Sequence, residues 1–115
     1  MFVRSIASLA SFRPEKMGKS TIAEGAHLLA GLNAFEPGQE HALHSHEGQD
    51  KLYVVLEGSG EATVGDRTEV LNAGDAAFAP SGVPHSMRNT GAGRLVVLAV
   101  LGPSPAMLKH ASRTT

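Results

Sequence analysis

The stretch His41–Gly58, HALHSHEGQDKLYVVLEG, sets three of the chain's six histidines within six residues and then runs into an apolar segment of β type. On a strand successive side chains alternate faces, so His44 and His46 point the same way and Ser45 the other. Two imidazoles side by side on one wall make a natural chelating pair. His41 differs in parity from both and would need an irregular start to the strand to join them, so it is expected to be a bystander. A third histidine comes much later, in Gly74–Asn89, GDAAFAPSGVPHSMRN, where His85 follows a Pro-x-Gly turn at the head of another strand.

Working outward, short β-branched or alternating runs continue from about residue 27, separated by Gly, Pro, Asn and Asp at close intervals. That pattern is the signature of an all-β sandwich or barrel. Strands are expected over His27–Phe35, Glu40–His46, Leu52–Glu57, Glu61–Val64, Thr68–Leu71, Ala76–Ala79, His85–Asn89 and Arg94–Leu101. Glu36-Pro37-Gly38, Gly65-Asp66 and Pro80-Ser81-Gly82 read as turns, and Gly58 and Gly60 bracket another reversal. At 115 residues one domain fits and two separate cores do not. The expected layout is an N-terminal arm over 1–25, a β-barrel over 26–102 and a tail over 103–115. Closing the sheet at this length also disposes of its edges.

Ten Lys plus Arg against eleven Asp plus Glu leave a formal charge of −1. No broad basic surface for nucleic acid or an anionic membrane is implied, and the partners expected are a small molecule and a second copy of the chain. The absence of cysteine removes disulfides, thiolate metal sites and thiol nucleophiles, and suits a cytoplasmic protein. The longest apolar run, Leu95–Leu101, is far short of a membrane helix. The first eighteen residues carry two arginines and several serines, and are read as an arm packed on the domain or on a partner subunit rather than as a targeting peptide.

The fixed residues of these stretches resemble those of a small single-domain cupin. That family's first motif runs Gly, five residues, His-x-His, three or four residues, Glu, six residues, Gly. Gly38, His44, His46 and Gly58 fall in register with it. The second motif runs Gly, five residues, Pro-x-Gly, two residues, His, three residues, Asn, and Gly74, Pro80, Gly82, His85 and Asn89 match every position. The resemblance implies an all-β, jelly-roll barrel of the cupin type, whose interior holds one divalent transition metal (Fe, Mn, Ni, Cu or Zn) on His44, His46 and His85. Imidazole suits all five metals, so ligand type does not choose among them.

The chain departs from the family at the glutamate, where Lys51 stands; an ammonium cannot coordinate a cation. Asp50 sits at the shorter gap but faces away in a regular strand. Gln49 shares the parity of Lys51 and is favoured as auxiliary ligand, with a three-histidine site completed by water as its equal competitor. Lys51 itself is expected to point outward or to run its stem along the barrel mouth; the sharper alternative places it inside, beside the metal.

Tyr53, Val55, Phe78, Met87 and Leu98 are candidate barrel-lining residues, and Asn89 is expected to fix its own turn. The GKST within Met17–Thr21 lacks the first glycine and the βα context of a phosphate loop and is read as a chance match. The functional expectation is a small metal-binding cupin that binds or transforms a small organic molecule. A metal-dependent dioxygenase is the leading enzyme reading, and a non-catalytic binding module or a sugar-type isomerase the alternative. A homodimer is expected, since Phe2, Ile6, Leu9 and Phe12 give the arm an apolar side able to cover a neighbour's sheet.

Overall fold

The structure, a computed structural model, describes residues 1–104, so all but the first two residues of the expected tail lie outside it. Among the described residues a single 3-10 turn, Ile6–Leu9, precedes nine strands: β1 (Gly18–Glu24), β2 (Leu29–Phe35), β3 (Glu40–His44), β4 (Asp50–Glu57), β5 (Ser59–Val64), β6 (Arg67–Asn72), β7 (Ala76–Ala79), β8 (His85–Arg88) and β9 (Leu95–Gly102). They form two antiparallel sheets, one ordered β1-β2-β9-β4-β7 and the other β3-β8-β5-β6. The chain passes from sheet to sheet at almost every connection, as a jelly roll does.

All eight expected strands are present, and β1 is the addition. It lies inside the segment expected as an arm and pairs with β2 from Gly18↔Ala34 to Glu24↔Leu29. Its residues GKSTIAE lack the apolar alternation of a core strand because it is an edge strand flanking a cavity. This also disposes of the GKST resemblance: the segment is extended strand, not a loop entering a helix. Upstream, the arm folds back on its own domain. Ser20 donates its hydroxyl proton to the Leu9 carbonyl (3.2 Å), Gln39 donates its amide to the Arg13 carbonyl (2.8 Å), and the Arg94 guanidinium lies 4.2 Å from the centre of the Phe12 ring.

The core between the sheets is built by alternation. Along β4, Lys51, Tyr53 and Val55 are buried while Asp50, Leu52 and Glu57 are exposed. Tyr53 and Val55 join Phe35, Met87, Leu95, Val97 and Ala99 in one cluster, each large side chain contributing about 1.5–3 kcal/mol by burial. Two candidate lining residues belong to the other face. Phe78, 53% exposed, pairs with the outward Leu52, and Leu98 pairs with Leu32 and Val54, neither of which is in that cluster.

The turns follow their glycines. Gly65 (φ 61°) and Asp66 close the β5–β6 hairpin, and Gly82 (φ 79°) sits in the Pro80–Val83 turn. Gly58 (φ 79°) is different from expectation. The strands on either side of it are not paired but lie in different sheets, so it carries the chain across the barrel wall. A Cβ there would run into the Arg94 carbonyl, so both conformation and space call for glycine.

Candidate metal centre

The β3–β8 pairing places His44 directly opposite His85, with their ring centres 4.4 Å apart. His46 follows just beyond β3, its ring 4.7 Å from that of His44 and 5.5 Å from that of His85. One ring nitrogen from each of the three can be chosen so that all lie within 4.8 Å of one another. The second motif's turn holds His46 as well as presenting His85: the His46 carbonyl accepts from the Gly82 amide at 3.0 Å.

His41 is closer to this group than its parity suggested. The β3–β8 register shifts between His41 and His44, and such a bulge reverses the alternation on one side of it. The His41 ring consequently lies 4.2 Å from that of His44, tilted 40° to it, and lines a cavity with it, although it stands outside the tight group of three. The expectation of a bystander is corrected to that extent.

Hydrogen bonding fixes which nitrogen each ring offers. His44 Nδ1 lies 2.6 Å from the Ala42 carbonyl and His85 Nδ1 lies 3.0 Å from the Val83 carbonyl. A carbonyl only accepts, so each Nδ1 carries the proton and each Nε2 is left with its lone pair. Both Nε2 atoms are buried without a partner among the described residues. A buried acceptor of this kind costs on the order of 1–3 kcal/mol unless something satisfies it. A metal ion would do so, and a backbone carbonyl fixing the tautomer from behind is the usual outer-shell arrangement of a metal-binding histidine.

Burial lowers all four imidazoles from the ordinary value of 6.5, His41 to about 3 and His46 to about 4. His44 and His85 are moved the same way, burial outweighing the opposing bonds to Ala42 and Val83. The cluster is thus neutral at physiological pH, the state in which imidazole ligates.

The cavity lined by His41, His44 and His46 has a volume of about 480 Å³ and is lined also by Lys19, Thr21, Gly31, Asn33, Gln49 and Lys51. Lys51 is 3% exposed, which corrects the expectation of an outward lysine. Its ammonium lies 4.7 Å from the centre of the Tyr53 ring, whose face partly replaces lost hydration. Burial, with Lys19 nearby, brings it down to about 8, so it remains charged at neutral pH. Gln49 is buried on the same side and donates its amide nitrogen to the Pro103 carbonyl at 3.0 Å, leaving the amide oxygen as its other polar atom. Asp50 is excluded from the cavity: it is exposed, and its carboxylate accepts from the Ser81 amide at 2.9 Å, while the Ser81 hydroxyl accepts from the Gly48 amide at 2.8 Å. That pair latches the loop after His46 to the turn before His85. Asn89 behaves as expected, bonding to Phe35, Gly93 and Gly91 and to no ligand position.

Two facing antiparallel sheets with a histidine cluster on the inner wall define a small β-barrel protein with a candidate mononuclear metal site. The cupin domain profile matches residues 31–101, and the chain belongs to the cupin family. The oxalate-binding protein of Thermotoga maritima is 35% identical over 85 residues, covering 74% of this chain and 69% of its own. Mannose-1-phosphate guanylyltransferase 2 of Escherichia coli is 30% identical over 81 residues, but the match spans only 16% of that enzyme. Among solved structures, a Thermus thermophilus protein superimposes with a TM-score of 0.87 at 41% identity, covering 91% of this chain and 100% of that one. An uncharacterised Klebsiella pneumoniae protein with a double-stranded β-helix domain gives 0.84 at 25% identity, covering 92% and 93%.

Proposed function

We propose that this chain holds one divalent first-row transition metal on His44, His46 and His85, with the Gln49 amide oxygen as auxiliary ligand, and that the metal binds a small oxygenated organic molecule in the adjoining cavity. The observation that carries this reading is the pair of buried, unpartnered Nε2 atoms, each on a ring whose Nδ1 is anchored to a backbone carbonyl. The name of the Thermotoga maritima relative speaks for a small carboxylate as the ligand.

When bound, such a metal supplies Lewis acidity, and as iron it supplies O₂ activation. The chain's own residues do the rest. Lys51 brings a positive charge to one side of the cavity, the Tyr53 ring packs against its ammonium with a hydroxyl kept neutral because burial raises its pKa, and Gly31, Ala99 and Leu101 form part of the wall. A metal-dependent dioxygenase is the enzymatic form of the reading, since three neutral imidazoles and one amide oxygen leave coordination positions open on a six-coordinate ion.

The experiment is elemental analysis of gently purified protein, followed by titration with Zn(II) and Fe(II) and O₂ uptake with the Fe(II)-loaded protein. One metal per chain is expected, and a chain that takes up none of these ions refutes the reading. Ligand binding without O₂ consumption would leave a binding module and remove the dioxygenase. The wider proposal is a cytoplasmic homodimer. Exposed Phe2 (96%) on the arm, and Leu52 and Phe78 on the outer sheet face, give a second copy apolar surface to cover. A monomer in sedimentation at micromolar concentration contradicts it.

A further inference from the structure

The charges around the cavity are one-sided. Its lining includes Lys19 and Lys51 but no aspartate or glutamate. The family glutamate is replaced by a cation at the same place on β4, so a divalent metal on three neutral imidazoles would keep both of its charges and gain a third beside it. A monocarboxylate offsets one of those three charges and a dicarboxylate two.

Away from the histidines, the same cavity has a further donor with nothing to donate to. Asn33 is 5% exposed, lines the cavity, and its amide nitrogen is buried without a partner among the described residues. Behind the cavity wall, Tyr53, whose ring packs against the Lys51 ammonium, has a buried hydroxyl that is likewise without a partner among the described residues. Native interiors leave few such groups unsatisfied, and a buried donor on a cavity wall marks where a ligand's acceptor goes. A second cavity of about 420 Å³ shares Lys19 and His41 with the first and adds Arg13 and Lys16, with Glu40 its acidic residue. Arg13 is paired with Glu15 at 2.7 Å, which leaves Lys16 and Lys19 as the further cations lining this second cavity.

Resting on the metal reading above, we propose that the ligand is a small dianion of the dicarboxylate class. One carboxylate goes to the metal and the other to the neighbouring Lys51 ammonium, with the Asn33 amide donating to a ligand oxygen. Lys51 is then a specificity-determining residue, and its replacement of the family glutamate trades a metal ligand for a ligand-binding cation. Lys16 and Lys19 raise the local concentration of anions at the mouth.

The test is calorimetric titration of the protein, metal-free and Zn(II)-loaded, with oxalate, malonate and succinate, each against its monomethyl ester. At least one dianion is expected to bind the loaded protein about ten- to a hundredfold more tightly than its ester, the worth of one buried charge-assisted pair. Lys51→Met is expected to abolish that ratio while leaving Zn(II) affinity unchanged or raised, and Lys51→Arg to retain it. Asn33→Ala is expected to weaken dianion and ester together. Equal affinity for dianion and ester throughout, or a ratio that survives Lys51→Met, overturns the proposal. Failure to bind Zn(II) counts against the metal reading instead. In that case a Lys51-dependent preference in the metal-free protein still supports the dianion, and its absence refutes it.

Discussion

Asn89→Ala tests how the fold holds the site in place. The side chain is 1% exposed and ties three connections together: its amide donates to the Phe35 carbonyl (3.0 Å) at the end of β2 and to the Gly93 carbonyl (2.9 Å) before β9, and its oxygen accepts from the Gly91 amide (3.0 Å). Three hydrogen bonds at about 1 kcal/mol each give an expected loss of about 3 kcal/mol. In a domain of this size that lowers Tm by more than about 10 °C. Asn89→Asp is the control. It keeps the acceptor for Gly91 but turns an oxygen toward two carbonyls, so at neutral pH it should cost at least as much as alanine. Urea unfolding with the slope compared between variants measures both. A loss below about 1 kcal/mol for alanine, or an aspartate variant as stable as the parent, would refute the assignment.

Three further outcomes follow from the site and its walls. Lys51→Glu places an anion where a cation stood, on the face that lines the cavity, and should tighten Zn(II) binding by about tenfold or more; unchanged affinity in a metal titration would put that side chain away from the metal. The metal-free protein should lose stability on acidification. His41 and His46 have folded values of about 3 and about 4, below the unfolded 6.5, so the unfolded chain takes up protons first; their contribution is present above pH 6.5 and is lost as pH falls to about 4 for His46 and about 3 for His41. Urea melts should show a decline of up to about 1.4 kcal/mol per pH unit per histidine, and a flat profile across that window contradicts the burial of these rings. Gly58→Ala should cost more than about 2 kcal/mol in thermal unfolding, because φ is 79° and the Cβ meets the Arg94 carbonyl; a neutral effect would mean that the crossing between sheets is built differently.

Much of this arrangement is legible in the chain because it rests on alternation and turn chemistry. His44 and His46 are two apart and share a face, and the Pro80–Gly82 turn that delivers His85 is written in its residues. What alternation cannot carry is a register shift. The bulge between His41 and His44 leaves no mark in the sequence, so His41 is misplaced by parity alone. Lys51 is a different case: it is two residues before Tyr53 and so shares its inward face, and only the general preference of lysine for water argued against it. Lys19 and Asn33 are invisible for a third reason. They sit on paired strands as direct partners, and β1, an edge strand beside a cavity, has no apolar stripe to announce it.

The central claim is that three imidazoles from two distant segments meet on one metal. X-ray absorption of the Zn(II)-loaded protein counts those imidazoles directly, through the outer-shell scattering of the rings. Three are expected in the parent and two in His85→Ala. A parent spectrum with one imidazole or none, or a count that His85→Ala leaves unchanged, would contradict it.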